Sequence, residues 1–219
     1  RKDSVDRGLI VTAKEVKMGL YLNPGNEEFR NAAIHSKIYV DKTEMIKFTN
    51  SQLFGEHKNI CVSRPRRFGK SMAANMLVAY YSKGCDSADI FADYEISHAG
   101  DFRQHLNKHD VIHLDIQWCL APAKGAAGVV SYIEKSVIAE LKEKYPDIIS
   151  EETVSLPEAM SEIYTVTGNK FIVIIDEWEY SFIHLWHHLC KASWPIPLCS
   201  SKIQCDCNHR CQLIIKCKA

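Results

Sequence analysis

An α/β domain, a mainly parallel sheet flanked by helices, is the fold this sequence predicts, and three stretches predict it. Phe171-Ile172-Val173-Ile174-Ile175 is an apolar run without alternation, the pattern of a central strand buried on both faces. Asn59 to Ser63 is a shorter run that leads through a basic, Gly-containing turn into Met72, Met76, Leu77, Tyr80 and Tyr81, apolar at helical spacing. Amphipathic segments separate the later runs, and strands alternating with helices pack as a parallel sheet with helices over it.

Taken in order, residues 1–17 carry no clear period and read as an N-terminal extension, unstructured or helical. Met18, a candidate start, opens a segment with turn chemistry at Asn23-Pro24-Gly25-Asn26. Ile38-Tyr39-Val40 predicts a short strand, and Asp41 with Glu44 three residues on predicts the cap of a helix holding Met45, Ile46 and Phe48. A polar, mostly helical stretch runs from the loop at Gly84 to Asp110, ahead of a strand at Val111 to Asp115. Val130, Ile133, Val137, Ile138 and Leu141 mark a helix over 129–145 that Pro146 stops. A second helix over 156–167 is capped by Ser155 with Glu158 and closed by Gly168.

At 219 residues and 46% hydrophobic, the chain has the material for one sizeable core. Lysine plus arginine number 27 and aspartate plus glutamate 27, so no global field points to nucleic acid, a membrane surface or acidic substrates. No apolar run approaches the ~20 residues that span a bilayer, and a cytoplasmic location is expected. Cysteine is uneven: Cys61, Cys85 and Cys119 are scattered, whereas Cys190, Cys199, Cys205, Cys207, Cys211 and Cys217 crowd the end. From Ser181 onward Asp206 is the sole acid, against Lys191, Lys202, Arg210, Lys216 and Lys218. The domain is therefore assigned to 18–180, and 181–219 to an irregular, Cys-rich tail. With no paired Cys-x₂₋₄-Cys knuckles, its His and Cys residues are weak zinc candidates.

The turn after Asn59–Ser63 carries the chemistry. A P-loop needs Gly, four residues, then Gly-Lys-Ser/Thr between a strand and a helix. Gly69-Lys70-Ser71 supplies the second half in that context, with Arg64 in place of the first glycine. Gly69 lets the backbone approach an anion, and the helix N-terminus points its N–H groups at phosphates. Lys70 brings a compact positive charge to the β- and γ-phosphates, and the Ser71 hydroxyl is placed to ligate Mg²⁺. Pro65 offers no N–H, a loss that Arg64, Arg66 and Arg67 can offset by touching phosphate oxygens.

Asp176 and Glu177 close the most hydrophobic strand, and ligands of open α/β sheets gather at that edge. An aspartate there can reach the metal held by Ser71, which is the Walker B arrangement, and an adjacent glutamate can orient or deprotonate water. Asp115 also ends a strand, where capping a helix is its expected role, and His113 reads as a core or edge residue.

Four stretches together resemble the bacterial AAA-ATPase-like family. They are Met18-Gly19-Leu20-Tyr21-Leu22-Asn23-Pro24-Gly25-Asn26, Ile38-Tyr39-Val40-Asp41-Lys42-Thr43, Cys61 to Ser71, and Ile174-Ile175-Asp176-Glu177-Trp178. The resemblance covers about Met18 to Glu179, and Arg-Pro-Arg-Arg-Phe-Gly-Lys-Ser is the family's own loop pattern, which accounts for the missing glycine. It implies a P-loop NTPase-like fold, ATP phosphates on Arg66, Arg67, Phe68, Gly69, Lys70 and Ser71, Mg²⁺ on Ser71 and Asp176, and a catalytic role for Glu177. Family members often carry a PD-(D/E)XK nuclease-like domain downstream, for which no matching residues are present. Glu179 stands where a second aspartate is common, and similarity ends after Tyr180. The expectation is a domain truncated after its Walker B strand, followed by a tail read in the wrong frame or left by a broken gene end. An ATP-binding domain, with hydrolysis left open, is the leading reading. A nucleic-acid-binding module built on Arg64, Arg66 and Arg67, or an inactive fragment, are the alternatives; oligomeric state is left open.

Overall fold

Residues 18–36, 38–63, 67–177 and 211–218 are described by a computed structural model, the last stretch as backbone. The apolar run forms β3 (Phe171–Asp176), buried at every residue. Its neighbour β2 (Asp110–Asp115) is parallel to it, in a register that sets Asp115 against Asp176. The other expected strand, β1 (Asn59–Ser63), runs in the same direction as these two, two places from β3.

Between β1 and β3 lies β4 (Cys211–Lys218), antiparallel to both, so the sheet order is β1-β4-β3-β2. The expected strands β1, β2 and β3 share one direction and β4 alone opposes them; one correction follows, in that the part of the 181–219 tail that is described forms a central strand rather than irregular chain. Leu213-Ile214-Ile215 is a short apolar run, and a gap between two strands offers it a backbone ladder on both sides.

Strand alternation sorts the core into two halves, one on each face of the sheet. Phe171, Val173 and Ile175, with Ile112 and Leu114, face α7 (Val129–Lys144) and α8 (Leu156–Thr167) through Ile133, Val137, Leu141, Met160 and Ile163. Ile172, Ile174 and Val111 face α3 (Lys70–Tyr81), backed by α1 (Glu27–His35) and α2 (Glu44–Gln52). By the two-residue period, His113, Asp115 and Asp176 belong to the α3 face. Full burial of each of these aliphatic side chains contributes about 1.5–3 kcal/mol.

Helix ends follow the sequence closely at α8, where the Ser155 hydroxyl accepts from the Glu158 N–H at 3.4 Å. Gly168 ends that helix at φ 69°, its N–H donating to the Tyr164 carbonyl at 2.8 Å, the left-handed cap that glycine favours. Smaller elements fill the stretch before β2: α4 (Ala88–Phe91), a 3₁₀ turn (Glu95–His98) and α5 (Phe102–His105). A short α6 (Ile116–Leu120) follows β2 directly.

Residues 38–40 do not form the expected strand. Ile38 is 84% exposed and Val40 64%, and among the described residues no strand pairs with them; Tyr39 packs inward, against Phe29 and Tyr94. Nor does Asp41 cap α2. Thr43 holds that position with its hydroxyl committed to the Ile96 N–H at 3.1 Å. Asp41 instead accepts from the N–H groups of Thr43 at 2.8 Å and Glu95 at 3.0 Å. Burial opposes ionisation of Asp41, but these bonds hold its carboxyl below the ordinary range.

Residues 21–23 lie along β2. Tyr21 accepts from the His113 N–H at 2.9 Å, Asn23 donates to the Val111 carbonyl at 2.7 Å, and the Asn23 side chain accepts from the Val111 N–H at 2.7 Å. Glu140 of α7 clasps the same segment, its carboxylate accepting from the N–H groups of Leu20 (3.0 Å), Tyr21 (3.0 Å) and Leu22 (2.7 Å). Among the described residues no helix is long and apolar enough to cross a membrane.

Candidate functional site

The turn beyond β1 is built on alternating backbone hand. Arg67 (φ 67°) and Gly69 (φ 72°) are left-handed, and Phe68 between them is not. Such alternation turns successive N–H groups to one side, where they can face an anion. Gly69 is the N-cap of α3, its carbonyl accepting from the Ala73 N–H at 3.0 Å. A side chain at Gly69 would collide with the Lys42 ammonium, 2.8 Å from an added Cβ, besides having to adopt a left-handed backbone. Lys42 is held there by donating to the Phe68 carbonyl at 3.0 Å. Arg64, Pro65 and Arg66 lie outside the described residues. Arg67 and Phe68 are exposed, and Lys70 at the start of α3 is only 6% exposed.

At the carboxyl ends of β2 and β3 the acids gather. Asp176 is 2% exposed. Its carboxylate accepts a hydrogen bond from the Glu177 N–H at 3.0 Å, and the Ser71 hydroxyl is near enough to act on its ionisation. Glu177 reaches that position on a left-handed backbone, φ 52°, uncommon for a residue with a side chain. Asp115, level with Asp176 across the parallel pair, caps α6 by accepting from the N–H groups of Gln117 at 2.9 Å and Trp118 at 3.3 Å.

The electrostatics follow from this crowding. Burial pushes the Asp176 carboxyl above its ordinary range, and the Asp115 charge pushes the same way. The nearby Ser71 hydroxyl, the Glu177 hydrogen bond and the Lys70 charge oppose the rise without cancelling it. Burial raises Asp115 as well, helped by the charge of Glu177 and resisted by its two capping bonds. The site thus brings Lys70, Ser71, Asp115, Asp176 and Glu177 together, and among these described residues three acids face one lysine.

That donor set suits a hard divalent cation, which prefers oxygen ligands and would relieve the surplus charge. Ser71 and Asp176 are the residues that could hold it. Among the described residues, no group of three or more His, Cys, Asp or Glu side chains is placed to hold a metal ion. Magnesium bound partly by phosphate oxygens and water requires no such group. The zinc candidates of 184–211 lie outside the described side chains, as do Arg64 and Arg66 of the alternative nucleic-acid reading.

Two contributors were not assigned to the site from sequence. Lys42 reaches the loop from the segment before α2, and the one available signal was its place in the quoted Tyr-Val-Asp-Lys-Thr stretch. For Asp115 the sequence allows a place facing the site and favours capping a helix or a loop role; it does cap α6, and parallel register also makes it the electrostatic neighbour of Asp176. His113 is half-buried on β2; burial depresses its imidazole pKa to about 4, so the ring is neutral at physiological pH.

A family model described as a predicted AAA-ATPase matches residues 24–193 of the chain. No curated protein and no solved structure matches it.

Proposed function

The chain belongs to the predicted AAA-ATPase family, and from that premise we propose that it is a P-loop domain that binds ATP with Mg²⁺ at Arg66–Ser71 and Asp176 and hydrolyses it with Glu177 as base. One observation supports the reading: the Ser71 hydroxyl stands close enough to the Asp176 carboxyl to oppose the rise in its pKa, although the two residues come from separate segments that the P-loop reading requires to meet. The N–H groups around Gly69 and the Lys70 ammonium take the phosphates. Ser71 and Asp176 hold Mg²⁺, which when bound neutralises phosphate charge. Glu177 takes a proton from the attacking water as its oxygen bonds to the γ-phosphorus, and the bond to the β–γ bridging oxygen breaks to leave ADP and inorganic phosphate.

Thermal denaturation of the chain with ATP, with and without Mg²⁺, tests this. A ligand at about one hundred times its Kd stabilises by about 2.7 kcal/mol, a rise of about 5–10 °C for a domain of this size. The rise is expected with Mg²⁺, reduced without it, and absent in Lys70→Ala. An undiminished rise in that variant would sink the proposal.

A further inference from the structure

A cleft of about 560 Å³ opens beside Asp115. Asn75 and Val78 form part of its wall, so it continues along the face of α3 on which Ser71 stands at helical spacing. Three aromatic side chains line it, Tyr21, Trp118 and Tyr132, together with the carboxylates of Glu28 and Asp115. Neither lysine nor arginine is among its described lining residues. Its wall is fixed in advance: Tyr21 donates from its hydroxyl to that of Tyr132 at 3.3 Å, and its backbone N–H is held by Glu140. Trp118, by contrast, is 80% exposed, an indole with most of its surface still in water. His113 also lines the cleft, and its Nε2 is buried with no hydrogen-bond partner among the described residues.

We propose that this cleft binds an organic cation, a guanidinium or alkylammonium group. Aromatic faces attract a cation through their quadrupoles, the two carboxylates neutralise it, and His113 Nε2, in the tautomer protonated at Nδ1, accepts one of its N–H groups. The lack of a basic residue among the described lining argues against a phosphate or carboxylate ligand, whose charge those residues would not offset. The inference goes beyond the nucleotide reading: the cleft shares Asp115 with the acid cluster beside Ser71, but no residue of Arg66–Ser71, nor Asp176 or Glu177, is among its described lining residues.

Calorimetric titration of the full chain without nucleotide provides the test, using butylguanidinium against its neutral isostere butylurea. The cation is expected to bind at least about tenfold more tightly. Trp118→Ala and Glu28→Gln, both at exposed positions, are each expected to weaken it about fivefold, while Trp118→Phe retains most of the affinity. A second pair, Gly-Arg-Gly and Gly-citrulline-Gly with blocked ends, separates the sources. A tripeptide that binds more tightly than butylguanidinium assigns the ligand to a protein side chain; one that binds more weakly assigns it to a free small cation. Equal binding of cation and urea, no binding of either, or full affinity in both Trp118→Ala and Glu28→Gln overturns the proposal. Neither substitution touches the nucleotide residues, so the ATP-induced thermal shift in the same variants reports separately on that reading.

Discussion

Asp110 and Asp115 are the two ends of one strand, and their surroundings are opposite. Asp110 is 1% exposed and amply partnered: Lys144 donates to it at 2.6 Å, Asn23 at 2.9 Å, Tyr145 at 3.0 Å and Lys83 at 3.2 Å. Burial alone would raise its pKa, but Lys144 above all, with Asn23 and Lys83, carries it below the ordinary range. Asp115, with Asp176 level beside it, is raised instead. Among the described residues, Lys70 is the cation whose charge is felt at Asp176, set against Asp115 and Glu177 near it. A carboxylate neutralised from within the fold serves the fold. A buried acid cluster left with surplus charge is suited to a cation arriving from outside, at some cost to the empty protein.

Breaking the contrast at its satisfied end should give the largest effect. Asp110→Asn leaves two lysines without their common partner and is expected to cost about 3 kcal/mol, reduced from a fully buried pair by the lysines' exposure. Urea denaturation would read it as a lower midpoint at unchanged slope. Because the folded pKa of Asp110 is depressed, this contribution is present above the unfolded carboxylate value near 4 and lost as pH falls through the lower folded value. The gap between wild type and variant should therefore close in acid.

Asp176→Asn should act with the opposite sign. It removes a buried charge whose folded pKa is raised, so without nucleotide the variant is expected to be more stable by about 1 kcal/mol, or about 2–4 °C in melting temperature. Wild-type Asp176 favours the folded state at pH below its unfolded value and opposes it once the pH has passed the folded value, so the gain should be largest near neutrality and vanish toward pH 4. The same variant should lose the Mg²⁺-dependent part of the ATP shift. A less stable Asp176→Asn would show that the cluster's surplus charge is already balanced. The smallest effect is expected at Lys42→Ala, which frees the Phe68 carbonyl. About a threefold loss of ATP affinity with little change in stability is anticipated from one exposed charged hydrogen bond, measurable by titration.

Much of this arrangement can be read from residue order where a local rule operates. The uninterrupted run at Phe171–Ile175, the capped helix from Ser155 to Gly168 and the strand-turn-helix around Gly69 each carry their own signal within a dozen residues. Ile38–Val40 misled because a β-branched run becomes a strand only beside a partner, and pairing is not a local property. Asp41 misled for a related reason: Thr43 and Glu95 compete for its oxygens, and Glu95 is distant in sequence. The placement of 211–218 depended on a gap elsewhere in the sheet, and the roles of Lys42 and Asp115 on register and reach across elements. The cleft is still less visible, since its aromatic and acidic lining comes from segments that share no motif.

The clasp that Glu140 places on residues 20–22, with the bonds from Tyr21 and Asn23 to β2, has one more consequence. A lateral strand with unused backbone groups is a template on which another molecule can grow, and here that template is occupied by the protein's own leading segment. Glu140 takes the next N–H groups of that segment before a foreign chain can extend the ladder. Deleting 18–23 would therefore be felt first as precipitation and self-association, ahead of any deficit in ligand binding.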